Sequence, residues 1–287
     1  MTRKQKLPFY IATICSSKGG VGKTTLTANL GGLLADMGLR VLMIDADKQP
    51  SLSSYYPIDK RSPDGFTSLV REHNIESTIS TTSVGCDIVL NDDSDDSLSD
   101  WINQAIDGRV RLKHVLKRLQ DRYDLVLIDT QGALGPLQDI GVLAADFLIS
   151  PIIPEAISAK EFARGTLAMF DRLRSAVHIG APLGNLAGII YRKDRTQLAE
   201  LITQELKLLH HNPSLESIRI IETTVPALSI YTKAATAQVP VHRFERTRSG
   251  PTQAAWVTMH EIARELFPHL SGVIQSHMEQ SGGRNGE

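Results

Sequence analysis

Ser17-Lys-Gly-Gly-Val-Gly-Lys-Thr-Thr25 is the stretch on which the reading of the whole chain turns. A loop that wraps phosphates closely needs residues with no Cβ in the way. Successive backbone N–H groups can then point inward, and the helix that follows presents its positive N-terminal end. Gly19, Gly20 and Gly22 meet that need, and Lys23 and Thr24 complete the pattern Gly-x-x-x-x-Gly-Lys-Ser/Thr. The first position departs from the strict form, with Ser17 in place of glycine. In such a loop Lys23 neutralises the β- and γ-phosphates of ATP, the Thr24 hydroxyl ligates Mg²⁺, and Thr25 bonds the α-phosphate. The expected Mg-ATP segment is therefore Lys18, Gly19, Gly20, Val21, Gly22, Lys23, Thr24 and Thr25. A chance glycine turn with a solvated lysine is the bland alternative, and the flanks argue against it. An apolar run at 10–15 precedes the loop, and Leu26, Leu30, Leu33, Leu34 and Met37 follow at helical spacing, with Gly38 placed to end the helix.

Further apolar, β-rich runs lie at 41–44, 88–90, 125–128, 147–153, 186–191 and 218–221. Most are continuous rather than alternating, as strands covered on both faces require. Helical patterns at 98–106, 109–120, 159–177, 196–210 and 253–266 alternate with them, and Pro268 should end or kink the last. The expected fold is α/β: a doubly wound, mostly parallel sheet flanked by helices, as in P-loop NTPases. Asp129 ends the run 125–128, where a second P-loop strand places the carboxylate that holds a magnesium-bound water. Asp45 and Asp47 follow the run 41–44. One carboxylate after a strand is more often a turn or cap residue, but three of them beside a P-loop shift the balance towards a site.

With 287 residues, 41% of them hydrophobic, the chain can bury a large core. No linker separates two hydrophobic patterns, so one domain is expected over 1–280, with a Gly-rich, polar and disordered tail at 281–287. A formal net charge of −1 offers no general attraction for nucleic acid or anionic membrane, so binding of either kind needs a local patch. Cys15 and Cys86 stand alone, which removes a disulfide framework and the usual zinc or iron–sulfur ligand sets. Residues 1–6 do not resemble a signal peptide, and the longest apolar stretch is too short to span a bilayer, so a soluble cytoplasmic protein is expected. The acidic run 91–96 reads as an exposed loop, and the histidines, His210 and His211 included, show no ligand spacing.

Residues 18–25, the stretch Val41-Leu-Met-Ile-Asp-Ala-Asp47 and the stretch Leu125-Val-Leu-Ile-Asp129 together resemble the deviant Walker A class of P-loop ATPases, the ParA/MinD family, and within it the ParA/Soj partition ATPases. That resemblance implies an ATP-sandwich homodimer in which Lys18 reaches the phosphates of the partner subunit. It implies that Lys18, Lys23 and Asp47 serve catalysis, with Asp47 positioning the attacking water, and that Asp45 supports a magnesium shell built on Thr24 and Asp129. Hydrolysis of ATP to ADP and phosphate would be weak alone and stimulated by a ParB-type centromere-binding protein. Adenine recognition would fall to Tyr191, Arg192 or the backbone near Pro226. Two stretches depart from the family pattern: Thr130-Gln131-Gly132 stands where a proline pair is common, and Thr224-Val-Pro-Ala-Leu228 lacks the arginine of an Ile-Pro-Arg segment.

By the same resemblance the ATP dimer would bind duplex DNA without sequence preference, placing the protein on the nucleoid. The polar stretch Val241-His-Arg-Phe-Glu-Arg-Thr-Arg248 supplies the candidate contacts Arg243, Arg246 and Arg248. Arg109, Arg111, Lys113, Lys117 and Arg118 form a second basic cluster, which reads better as the solvated face of a helix. A protein-cargo-positioning ATPase is the near alternative. A MinD-like membrane-cycling ATPase would need a basic amphipathic C-terminal helix, and only Arg264 and Arg284 follow Arg248. A ligase or kinase on the same scaffold would make Lys18 incidental.

Overall fold

In the computed structural model, which describes residues 7–93, 95, 97–208 and 217–282, the apolar runs become strands of one sheet. β1 (Tyr10–Ile14) leads through the phosphate loop to α1 (Lys23–Asp36) and β2 (Val41–Ala46). A 3₁₀ turn (Leu52–Ser54), β3 (Ile58–Lys60), α2 (Phe66–Arg71), β4 (Ile79–Thr82) and β5 (Asp87–Val89) follow. Then come α3 (Ser97–Gln104), α4 (Gly108–Lys117), β6 (Leu125–Thr130), α5 (Pro136–Ala144) and β7 (Phe147–Ile152). Next are α6 (Ala156–Glu161), a π-turn (Phe162–Thr166), α7 (Leu167–Leu173), β8 (Asn185–Ile190), α8 (Gln197–Lys207) and β9 (Ile218–Ile220). The chain then runs through α9 (Ser229–Thr236), α10 (Val241–Phe244), α11 (Ala255–Leu266) and α12 (Ser271–Gly282).

The nine strands lie in the order β3-β4-β5-β2-β6-β1-β7-β8-β9. Every neighbouring pair from β5 to β9 is parallel, as the continuous apolar runs require, and near one edge β4 alone runs against the sheet, antiparallel to both β3 and β5. Alternate residues of β2 and β6 feed opposite cores. Val41, Met43, Leu125 and Leu127 pack with Leu26, Leu30 and Leu33 of α1 and Ile262 of α11. Leu42, Ile44, Val126 and Ile128 pack with Leu112 and Leu116 of α4 and Ile140 of α5. From β1 the chain passes to β2 on one side, and from β6 it crosses β1 to β7, β8 and β9 on the other, so the winding reverses at β1. Beyond the carboxyl ends of the strands, such a switch point leaves a ligand crevice.

Three sequence expectations are corrected in whole or in part. The helix pattern at 159–177 is broken by the π-turn, because this segment closes onto the phosphate loop: the Ser17 N–H donates to Thr166 Oγ1 at 3.2 Å and the Ser17 hydroxyl to the Glu161 carbonyl at 3.2 Å. The acidic run 91–96, where described, is a loop with Asp92 and Asp95 exposed, as expected, but it is anchored. Asp92 accepts the Gly65 and Thr67 N–H groups at 3.0 and 2.7 Å at the start of α2, and buried Asp93 accepts the Leu98 N–H at 3.1 Å. The loop-like reading of 241–248 holds for 245–248, whereas 241–244 form the short helix α10. At the C-terminus the helix at 253–266 ends before Pro268 as expected, but α12 then extends to Gly282. The rest of the proposed tail lies outside the described residues, as do His210 and His211.

Candidate nucleotide site

Gly22 caps α1 with left-handed angles, φ 99° and ψ 19°, and no side chain caps the helix. Its first-turn N–H groups are thus left for an anionic ligand. A Cβ on Gly22 would lie 2.3 Å from the ring of Tyr191, so this glycine serves both the turn and the packing of the loop against the end of β8. Lys23 is buried, and its amine reaches back to the Lys18 carbonyl at 3.5 Å.

The two strands beside this loop deliver the acids. Parallel register places Asp129 opposite both Ile14 and Asp45. The Thr24 hydroxyl donates to Asp129 Oδ2 at 2.6 Å. Asp45 accepts the Ser53 N–H and hydroxyl at 2.7 and 2.8 Å on Oδ2, and the Asp47 N–H at 3.2 Å on Oδ1. Burial pushes the Asp129 carboxyl up to about 8, with the charges of Asp45 and Asp47 adding to it and Thr24 and Lys23 opposing. Burial likewise pushes Asp45 up to about 6, against its bonds from Ser53. Acids so short of positive charge fit a divalent cation. Among the described residues no cluster of three or more His, Cys, Asp or Glu forms a closed ligand cage. Mg²⁺ suits such a place, because it keeps waters and phosphate oxygens and takes few protein ligands. Thr24 and Asp129 would hold it, and bound magnesium would neutralise charge on the β- and γ-phosphates.

The crevice above has a volume of about 970 Å³. Gly19, Gly20, Gly22, Lys23, Thr24, Thr25, Asp47, Tyr191, Arg192 and Pro226, all candidates from the sequence, line it. Lys18 does not: its amine is 3.0 Å from the Ser158 hydroxyl on α6. Gln49, Ser51, Tyr55 and Gly132 also line the crevice and were missed from sequence. For Gly132 a signal existed, since the stretch Thr130-Gln131-Gly132 already stood out as a departure from the family pattern. A Cβ there would sit 2.6 Å from Gly19 Cα, so the departure Thr130-Gln131-Gly132 lets this loop rest directly on the phosphate loop.

The arginine candidates lie apart from the crevice. Arg243 pairs with Asp36 at 2.7 and 2.5 Å and donates to the Val84 carbonyl at 2.8 Å. Arg248 pairs with Glu245 at 2.6 Å, while Arg246 is exposed. In the other cluster Arg109 binds buried Asp139 at 2.8 Å, Arg111 pairs with Asp107, and Lys113 is buried.

A parallel sheet with a phosphate loop after β1, acids after β2 and β6, and a crevice at the switch point defines a P-loop nucleotide-binding protein. The family model described as an AAA domain matches residues 10–177. A ParA family protein of Chlamydia pneumoniae is 32% identical over 249 residues, spanning 81% of this chain and 94% of its own. The maintenance of carboxysome distribution protein A of Synechococcus elongatus is 33% identical over 185 residues, spanning 64% of this chain and 72% of its own. Among solved structures, the ATP complex of a McdA variant from Cyanothece superposes with a TM-score of 0.71 over 96% of this chain and 97% of that one, at 20% identity, a likeness of fold. The chain belongs to the ParA family of P-loop ATPases.

Proposed function

We propose that this chain hydrolyses ATP to drive DNA partition, working as a single ATPase unit over 1–280 in the cytoplasm, on the nucleoid. ATP and Mg²⁺ close a homodimer, the dimer holds duplex DNA without sequence preference, and a ParB-type partner triggers hydrolysis and release. Lys23 and the start of α1 hold the phosphates. Asp47, half-buried on the crevice wall, orients the water that attacks the γ-phosphorus as the bond to ADP breaks. Tyr191, Arg192 and Pro226 flank the base. A charge supplied to the γ-phosphate from outside is worth about 10³ to 10⁵ in rate, which leaves room for slow intrinsic turnover and a stimulating partner.

The position of Lys18 carries this reading. It sits in the phosphate loop yet off the wall of its own crevice, as a lysine that serves the nucleotide of a second copy would. A protein assembly is the second candidate cargo, supported by the name of the Synechococcus relative. Size analysis with ATP, with ADP and without nucleotide, each with and without mixed-sequence duplex, tests the proposal. A dimer with ATP that binds DNA more weakly as salt rises is expected. Arg246→Ala, which spares the Arg243 and Arg248 ion pairs, should weaken that binding. A wild-type ATP dimer that ignores DNA at low salt would favour the protein-cargo reading.

A further inference from the structure

The residues that hold the phosphate turn also hold the arginine-bearing turn, through one face of α1 and one left-handed glutamine. Asn29 is 1% exposed. Its amide donates to the Thr25 carbonyl at 2.7 Å on one side and accepts the Val241 N–H, the first of α10, at 2.6 Å on the other. Gly32, three residues on, lies so close to Pro240 that a Cβ would come within 2.5 Å of the proline ring. Asp36, four further, binds His242 at 2.8 Å and Arg243. That spacing puts all three on one stripe of the helix. The other anchor is Gln238, a non-glycine residue at φ 54°. Its side-chain amide donates to the Ser54 carbonyl at 3.1 Å, and the neighbouring Ser53 holds Asp45.

We propose that residues 238–243 form a strap that conveys the state of the nucleotide site to the segment 243–248, with Gln238, Asn29 and Asp36 as its positioning residues. The 3₁₀ turn Leu52–Ser54 is bonded to Asp45 on one side and to Gln238 on the other. When Asp45 and Asp47 rearrange around a bound γ-phosphate, the Ser54 carbonyl moves and the strap must follow or lose its anchor. Beyond the strap stand Phe244, 43% exposed, and exposed Arg246, the groups available to a partner. Control of DNA binding by the strap rests on the function proposed above; motion of the strap does not.

Gln238→Gly is the decisive variant. Glycine adopts positive φ without strain, so the substitution relaxes the backbone while deleting the link to Ser54. Its Tm should equal or exceed that of the wild type, so that a lost response is not a loss of fold. Backbone amide exchange across 239–246 is followed in the full chain, with Mg²⁺ and a non-hydrolysable ATP analogue and without them. The analogue should change exchange in the wild type, and the change should fall at least about fivefold in Gln238→Gly, the lower range of ordinary site-to-site coupling. Asp36→Asn should keep the response at 239–241 and lose it beyond His242. Equal responses in wild type and Gln238→Gly, or no response in the wild type, would overturn the strap. In the same samples a mixed-sequence duplex separates the two claims. If the analogue-bound wild type ignores DNA, the partition reading fails while exchange still decides the strap. If it binds, Gln238→Gly should lower the ATP-over-ADP ratio of DNA affinity at least about fivefold, and an unchanged ratio would overturn the strap's control of DNA.

Discussion

The two ends of α1 treat charge in opposite ways. At the N-terminal end Asp129 and Asp45 are buried with too little positive charge, and burial raises both, Asp129 to about 8. At the C-terminal end Asp36 is also partly buried, but the bonds from His242 and Arg243 outweigh that burial and hold it well below the usual carboxylate range. Buried charge left unbalanced marks a place built for a ligand, whereas charge balanced inside the chain marks a joint. The crevice is the first kind, and the seat of α10 is the second. Variants at the crevice end should therefore change ATP binding and turnover with little effect on stability, and loss of the Asp36 pairing should lower stability with little effect on ATP binding.

The largest effect is expected at Lys23. Lys23→Ala removes the main charge on the phosphates, at a cost of about 3 kcal/mol or roughly 100-fold in ATP affinity. Unchanged affinity for a fluorescent ATP analogue would break the assignment of the crevice. Asp47→Ala comes next: it should still bind ATP, accumulate as a trapped dimer and show no turnover above background. Normal phosphate release from that variant would move water positioning to another group, with Gln49 a candidate on the same wall.

Much of the crevice was legible because its parts are short contiguous stretches: the phosphate loop, Asp45 and Asp47 after β2, and Asp129 after β6. The parallel sheet was legible for a similar reason, since each strand buried on both faces is a continuous apolar run. Three-residue β3 at the edge is mostly exposed, and β4 beside it buries every second residue, so neither stands out from a loop. The seat of α10 was illegible in principle. His242 and Arg243 find Asp36 across 206 and 207 residues of sequence, and no local pattern records such a partner. An arginine in a polar stretch reads the same whether it awaits DNA or, like Arg243, is already engaged. The π-turn at Phe162–Thr166 is hidden likewise, because its cause is Ser17, far away in the chain.

At the α10 end Asp36→Asn should lower stability by about 1–2 kcal/mol at neutral pH, through loss of charge-assisted bonds, with ATP affinity unchanged. Because the folded-state pKa of Asp36 is depressed, its contribution is present above the ordinary carboxylate value of 3.8 and fades as pH falls below it. Denaturant titration at pH 7 and pH 3 checks both points, and an equal loss at both would contradict the pairing. A separate pH window belongs to His260. Burial lowers it to about 4, and its ring nitrogens lie against the Trp256 carbonyl at 2.6 Å and His277 at 3.0 Å. The unfolded chain takes up that proton near 6.5 and the folded chain does not, so stability should fall as pH drops from 6.5 towards 4. His260→Gln should flatten this part of the Tm profile; a profile as steep as the wild type's would place the acid sensitivity elsewhere.

Light scattering on wild type and Lys18→Ala, each with Mg²⁺ and ATP and then with ADP, tests the central claim most directly. ATP should double the mass of the wild type and leave Lys18→Ala a folded monomer that still binds ATP, because the missing ammonium serves the opposite subunit. A Lys18→Ala chain that dimerises with ATP as the wild type does, or a wild type that stays monomeric, would contradict it.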